Sequence, residues 1–141
     1  MDALITRFLQ SLHLSEDYFE HVNERSLELK IPNAPSNTIG EQAYCIIGAR
    51  ESYLNALKAG EWIGFECSLT NSNDKNSIIA LLNETHRNIE DFLQANNLNE
   101  INVNLLMDLY EHEIQHHGQL IRYTYANKID FPKNWNTRYT V

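Results

Sequence analysis

The chain has 141 residues, 43% of them hydrophobic and 21% charged, and a formal net charge of -8. That length makes one ordinary domain, residues 1–141, with a real core, and the balance is that of a globular chain and not a disordered one. The acidic charge speaks against nucleic acid, whose phosphates require a basic face, and against an anionic membrane surface.

No apolar run approaches the roughly 18 residues of a spanning helix. The opening residues, MDALITRFLQ, lack the basic start and continuous apolar stretch of a secretory signal. Two cysteines, Cys45 and Cys67, make no disulfide framework, so a reduced, cytoplasmic setting is expected.

In the first segment Ile5, Phe8, Leu12, Phe19 and Val22 recur at helical spacing, with a bend expected near Ser15 and Glu16. Residues 33–37 read as a loop, kept from helix by Pro32 and Pro35. Thr38-x-x-Glu41 is a capping box that opens a second helix through Ala43, Ile46, Ala49, Tyr53 and Leu57, and Gly60 stands where a left-handed glycine would end it. Residues 60–76 form a long connection whose Trp62, Ile63 and Phe65 must pack, so a crossing of a bundle end is expected. A third helix covers roughly residues 77–95, with Ile78, Leu81, Leu82, Ile89, Phe92 and Leu93 as its apolar positions. A fourth runs from about Asn102 to Asn127. Asp130-Phe131-Pro132 ends the regular structure, and the tail is expected to fold back through Trp135 and Tyr139. Without period-two alternation, four helical patterns predict an all-α, up-and-down four-helix bundle with a long crossover between helices 2 and 3.

On the fourth helix the stripe runs Leu105, Leu109, His112, His116, Gln119, Tyr123 and turns polar in its middle. His112 and His116 are one turn apart on one face, with Cβ atoms about 6 Å from each other. Two imidazoles on a core-facing stripe need a partner, and a divalent ion is one. The bland reading is a pair of histidines bonded to neighbours such as Glu41 or tyrosines. Glu113 points off this stripe. His117 lies about 100° from His116 and reads as a surface or interface residue. His13, His21 and His86 have no helpful spacing. His112-Glu113-x-x-His116 also matches the zincin pattern, but no further histidine follows to complete its extended form.

The segment from His112 to Leu120, His-Glu-Ile-Gln-His-His-Gly-Gln-Leu, resembles the signature of the DinB/YfiT-like family of metal-dependent proteins. Residues 36–42, 48–54, 60–65 and Asp130-Phe131-Pro132 also match that family's pattern, so the resemblance covers most of the chain. It implies a four-helix bundle, often a homodimer, holding Zn or Ni with three histidines. Two of these map onto His112 and His116. The third, seven residues after the capping residue, falls on Cys45, which departs from the pattern. Cys45 reads either as a thiolate ligand in a Cys-His-His set with one open position or as a small buried residue that has replaced a ligand. Glu41 or Gln42 would supply an oxygen or bond the outer nitrogen of a histidine ligand. Cys67 reads as structural. Relatives include thiol-S-transferases that use a low-molecular-weight thiol and metal-dependent hydrolases. The expectation is therefore a metal-dependent transferase or hydrolase acting on a small molecule, with Arg50, Tyr53 and Tyr123 orienting the substrate at a pocket rim. The alternative is a non-catalytic dimeric bundle with a degenerate metal site.

Overall fold

The computed structural model describes residues 2–141. The described residues hold five α-helices and no β-strand: α1 (Asp2–His21), α2 (Ile39–Ala59), α3 (Lys75–Ala95), α4 (Val103–Ala126) and α5 (Lys133–Tyr139). Short 3-10 turns lie at Glu24–Glu28 and Leu98–Glu100. The all-α expectation holds, and the packing is compatible with a helical bundle. α1 packs on α3 and α4, α2 on α4 and α3, and α5 on α1.

The local signals act as their chemistry requires. Thr38 Oγ1 accepts from the Glu41 amide at 3.0 Å and the Glu41 carboxylate accepts from the Thr38 amide at 3.1 Å, so both halves of the capping box form. Gly60 ends α2 at φ 86°, a left-handed geometry that glycine adopts without strain. α3 begins two residues before the expected start, because the Asp74 carboxylate caps it by accepting from the Ser77 amide. α1 has no break at Ser15 and Glu16; both side chains instead point inward and are buried.

At one end of the molecule the Lys75 ammonium donates to the carbonyls of Glu20 and Val22, joining the start of α3 to the end of α1. Gly40, in the first turn of α2, presses on the backbone of Leu27 and Ser72, where a Cβ would collide with the Ser72 carbonyl. The connection over residues 60–74 lies along the flank of α2 and not across an end. Ser52 Oγ bonds both the amide and the carbonyl of Glu66, and the Glu51 carboxylate accepts from the Ser68 amide and hydroxyl. Its aromatic residues do not enter the core: Trp62 is 49% exposed and Phe65 51%, resting on Tyr53 and Tyr44. The tail folds back as expected. Trp135 is fully buried, and its indole N–H donates to the Leu14 carbonyl at 2.7 Å.

The apolar core is in two parts. One gathers Phe19, Leu27, Ile46, Leu82, Leu120 and Trp135. The other gathers Phe8, Leu12, Leu57, Ile89, Leu106 and Leu109. Polar side chains from all four long helices lie between them: Ser15 and Glu16 from α1, Arg50 from α2, Thr85 from α3, Glu113 and His117 from α4.

Candidate metal site

His112 and His116 come together as their spacing on α4 predicts. Their Nε2 atoms are 3.2 Å apart. Adjacent donors of a tetrahedral ion with metal–nitrogen bonds of about 2.0–2.1 Å stand about 3.3–3.4 Å apart. The contact is a hydrogen bond, and its length is also close to the edge of such a coordination shell.

The tautomer of His116 follows from its neighbours. The Gln42 amide nitrogen donates to Asn37 Oδ1 at 3.0 Å and to Gln119 Oε1 at 2.8 Å. Its oxygen is then turned to His116 Nδ1, at 2.5 Å, and accepts that proton. His116 Nε2 therefore carries a lone pair aimed at His112. Tyr123 joins the same network by donating its hydroxyl proton to Asn37 Oδ1. Burial lowers the pKa of both imidazoles, and His116, with His112 beside it, is held at about 4. Neutral rings with a fixed outer nitrogen are what a metal ligand requires.

His112 opens onto a groove of about 620 Å³ whose walls include Tyr53, Asp108, Tyr110 and Glu111. Cys45 is elsewhere. It lines a separate groove of about 320 Å³ with Glu41 and Tyr44 of α2 and Leu69 and Thr70 of the connection. Burial raises the pKa of its thiol, and Glu41 raises it further. Among the described residues no group of three or more His, Cys, Asp and Glu side chains stands together as a metal cluster. The two imidazoles fit two positions of a coordination shell, and no third donor of those types is assembled with them.

The polar layer was not expected. Arg50 is not at a rim: its guanidinium is 0% exposed. Its Nε donates to Glu113 Oε1 at 2.7 Å, Nη1 to the Leu82 carbonyl and Thr85 Oγ1, and Nη2 to the Leu12 carbonyl. One side chain thus ties α2 to α1, α3 and α4. Glu113, expected off the stripe, is 1% exposed; burial pushes its carboxyl up, and Arg50 and Ser15 pull it back toward the ionised form. Glu16 bonds His86 Nδ1 at 2.7 Å and stands 3.7 Å from Arg50.

His117, expected at the surface or an interface, is 0% exposed. Burial, followed by the charge of Arg50, lowers it to about 3, so it is neutral. One assignment satisfies the chain: Tyr139 donates to His117 Nδ1 (2.6 Å), His117 Nε2–H to Ser15 Oγ (2.7 Å), and Ser15 to Glu113 Oε2 (3.3 Å). This serine–histidine pair is not a hydrolytic triad, because both residues are sealed from solvent and the carboxylate holds the serine, not the imidazole. Among the described residues no buried side-chain nitrogen or oxygen lacks a partner.

No known family model matches the chain, and no curated protein matches it. No helix among the described residues is long and apolar enough to cross a membrane.

Proposed function

We propose that the chain is a DinB-like divalent-metal-binding protein in which His112 and His116 are the protein ligands of one Zn or Ni ion. The observation that carries this reading is the 3.2 Å Nε2–Nε2 separation, with the His116 lone pair aimed into it by Gln42. Such an ion, when bound, supplies a Lewis acid that lowers the pKa of a thiol or a water. The activity proposed is a metal-dependent thiol-S-transferase or hydrolase acting on a small molecule. The chain's own part is to orient His116 through Gln42 and to receive the substrate in the groove where Tyr53 and His112 meet. A Cys45 ligand would require its side chain to leave the groove beside Leu69 and Thr70. The helices are read as a four-helix bundle with residues 60–74 as its long crossover. Homodimerisation is proposed on the exposed Trp62, Ile63 and Phe65, and a cytoplasmic setting on the two free thiols.

A second reading, a non-catalytic dimeric bundle with a degenerate site, is favoured by one observation: no third donor stands with the histidine pair among the described residues.

Metal loading decides between them. The first reading expects one Zn or Ni per chain by elemental analysis after dialysis. His116→Ala should lose the ion, and Gln42→Leu should weaken binding about 10–100-fold while leaving both ligands in place. A wild-type protein that takes up neither ion leaves only the degenerate site.

A further inference from the structure

The sequence alone does not pair Cys45, which it leaves open between a metal ligand and a small buried residue, with Cys67, which it gives a structural reading. The fold brings them to the same flank of α2. Cys67 Sγ lies 3.4 Å from the Tyr44 carbonyl oxygen. That oxygen is about 2.8 Å from the Cα of Cys45 by peptide geometry, which places Cys67 Sγ within about 6 Å of the Cys45 Cα. The Cβ of Cys67 lies 3.2 Å from where a Cβ on Gly48 would stand, and Gly48 is one turn after Cys45. Gly48 is what allows this approach, since a side chain there would collide with the Phe65 ring. Cys45 in turn borders Leu69 and Thr70, just beyond Cys67 in the chain. Each thiol is free and only half-buried, so a small reagent can reach it.

We propose that Cys45 and Cys67 form a reversible dithiol–disulfide pair that fastens the connection to α2. A disulfide needs Cα atoms about 4.4–6.8 Å apart, so closure asks for an approach of at most about 2–3 Å by a segment without regular structure. The oxidant is a low-molecular-weight disulfide, R–S–S–R. The thiolate of one cysteine attacks it, forms a mixed disulfide and releases one thiolate, which takes up a proton. The thiolate of the other cysteine then attacks the protein sulfur of the mixed disulfide. The Sγ–Sγ bond forms and the second R–S⁻ leaves, so two protein thiols are oxidised and one external disulfide is reduced to two thiols. The bond also removes the Cys45 thiol from any metal chemistry, although the pair itself stands without the metal reading.

The test uses the full chain stripped of metal with a chelator, so its result is independent of metal loading. Native protein equilibrated with oxidised and reduced glutathione should lose both free thiols and two hydrogen masses, remain a single chain on a non-reducing gel, and give a cross-linked Cys45–Cys67 peptide. The single variants Cys45→Ser and Cys67→Ser should instead hold glutathione as a mixed disulfide. The effective concentration of one thiol at the other should exceed that of the urea-unfolded chain by about a hundredfold or more, since a flexible loop alone supplies about millimolar. Mixed disulfides or chain-to-chain dimers in the native wild type, or a native value no higher than the unfolded one, overturn the proposal.

Discussion

Arg50 shows what a buried charge requires. Its guanidinium has lost its water and recovers four protein acceptors, the Glu113 carboxylate nearest among them at 2.7 Å. Removing one member strands the other, which typically costs about 3–5 kcal/mol, whereas replacing both with apolar groups of like volume is often neutral or stabilising. Urea unfolding should therefore find Glu113→Leu and Arg50→Met each strongly destabilised. The double variant should recover much of the loss. Equal, additive losses would show that the ion pair itself does not couple the two sites. His117 makes a second case. Its folded pKa of about 3 lies below the ordinary 6.5. Between those values the unfolded chain binds a proton that the folded chain refuses, so the His117 contribution is full above pH 6.5 and falls as pH drops toward 3. The slope is up to about 1.4 kcal/mol per pH unit for one such group. His116, held at about 4, acts in the same direction. Stability measured at pH 6.5 and pH 5 should fall in the wild type, and His117→Gln, though less stable, should show a shallower fall.

At the scale of the element, the polar layer follows from the phase of each helix. The buried seams read 8-12-15-19-22, 43-47-50-54-57, 78-82-85-89 and 106-109-113-117-120-124, with Ser15, Arg50, Thr85 and Glu113 near their middles. The apolar stripes of α1 and α3 were legible in the sequence, and their gaps at Ser15 and Thr85 were the available sign of a polar layer. Only the partners across the fold give those gaps a meaning, and partners are not visible in a single helical pattern. On α4 the stripe members Leu105, Leu109, His116 and Tyr123 are buried, but the buried face is wider and extends about one residue, roughly 100°, further to take in Leu106, Glu113, His117, Leu120 and Thr124. A stripe narrower than the buried face leaves Glu113 and His117 looking external. The histidine pair was legible because both its members lie on one helix. The destination of Cys45 was not, because it depends on a connection that hugs α2 instead of crossing an end. That close course makes Gly40 critical. Gly40→Ala would drive a methyl group into the Ser72 carbonyl, backbone that cannot swing aside. A loss of about 1–3 kcal/mol in thermal or urea unfolding is expected. A neutral result would mean that the connection is not seated on α2 as described.

For the whole molecule, two apolar clusters flank a layer in which every buried side-chain polar atom found among the described residues has a partner. The aromatic residues of the connection lie outside this scheme, half exposed on the flank of α2. If they form the proposed dimer face, sedimentation equilibrium should give a mass near twice the 16.4 kDa chain, and Phe65→Glu with Trp62→Glu should return it to one chain. A wild-type mass of one chain at micromolar protein would remove that face from consideration. The neighbours 112/113 and 116/117 divide the labour of a single helical turn. His112 borders a groove open to solvent and His116 is held beside it by Gln42, whereas Glu113 and His117 are locked into the interior with Ser15, Arg50 or Tyr139. His112 bonds only His116 on its own helix, so a substitution there leaves the ties of α4 to its neighbours in place, whereas substitutions at 113, 116 and 117 each break one. The group that this helical turn shows to the groove at 112 is thus free to change over generations without renegotiating the fold.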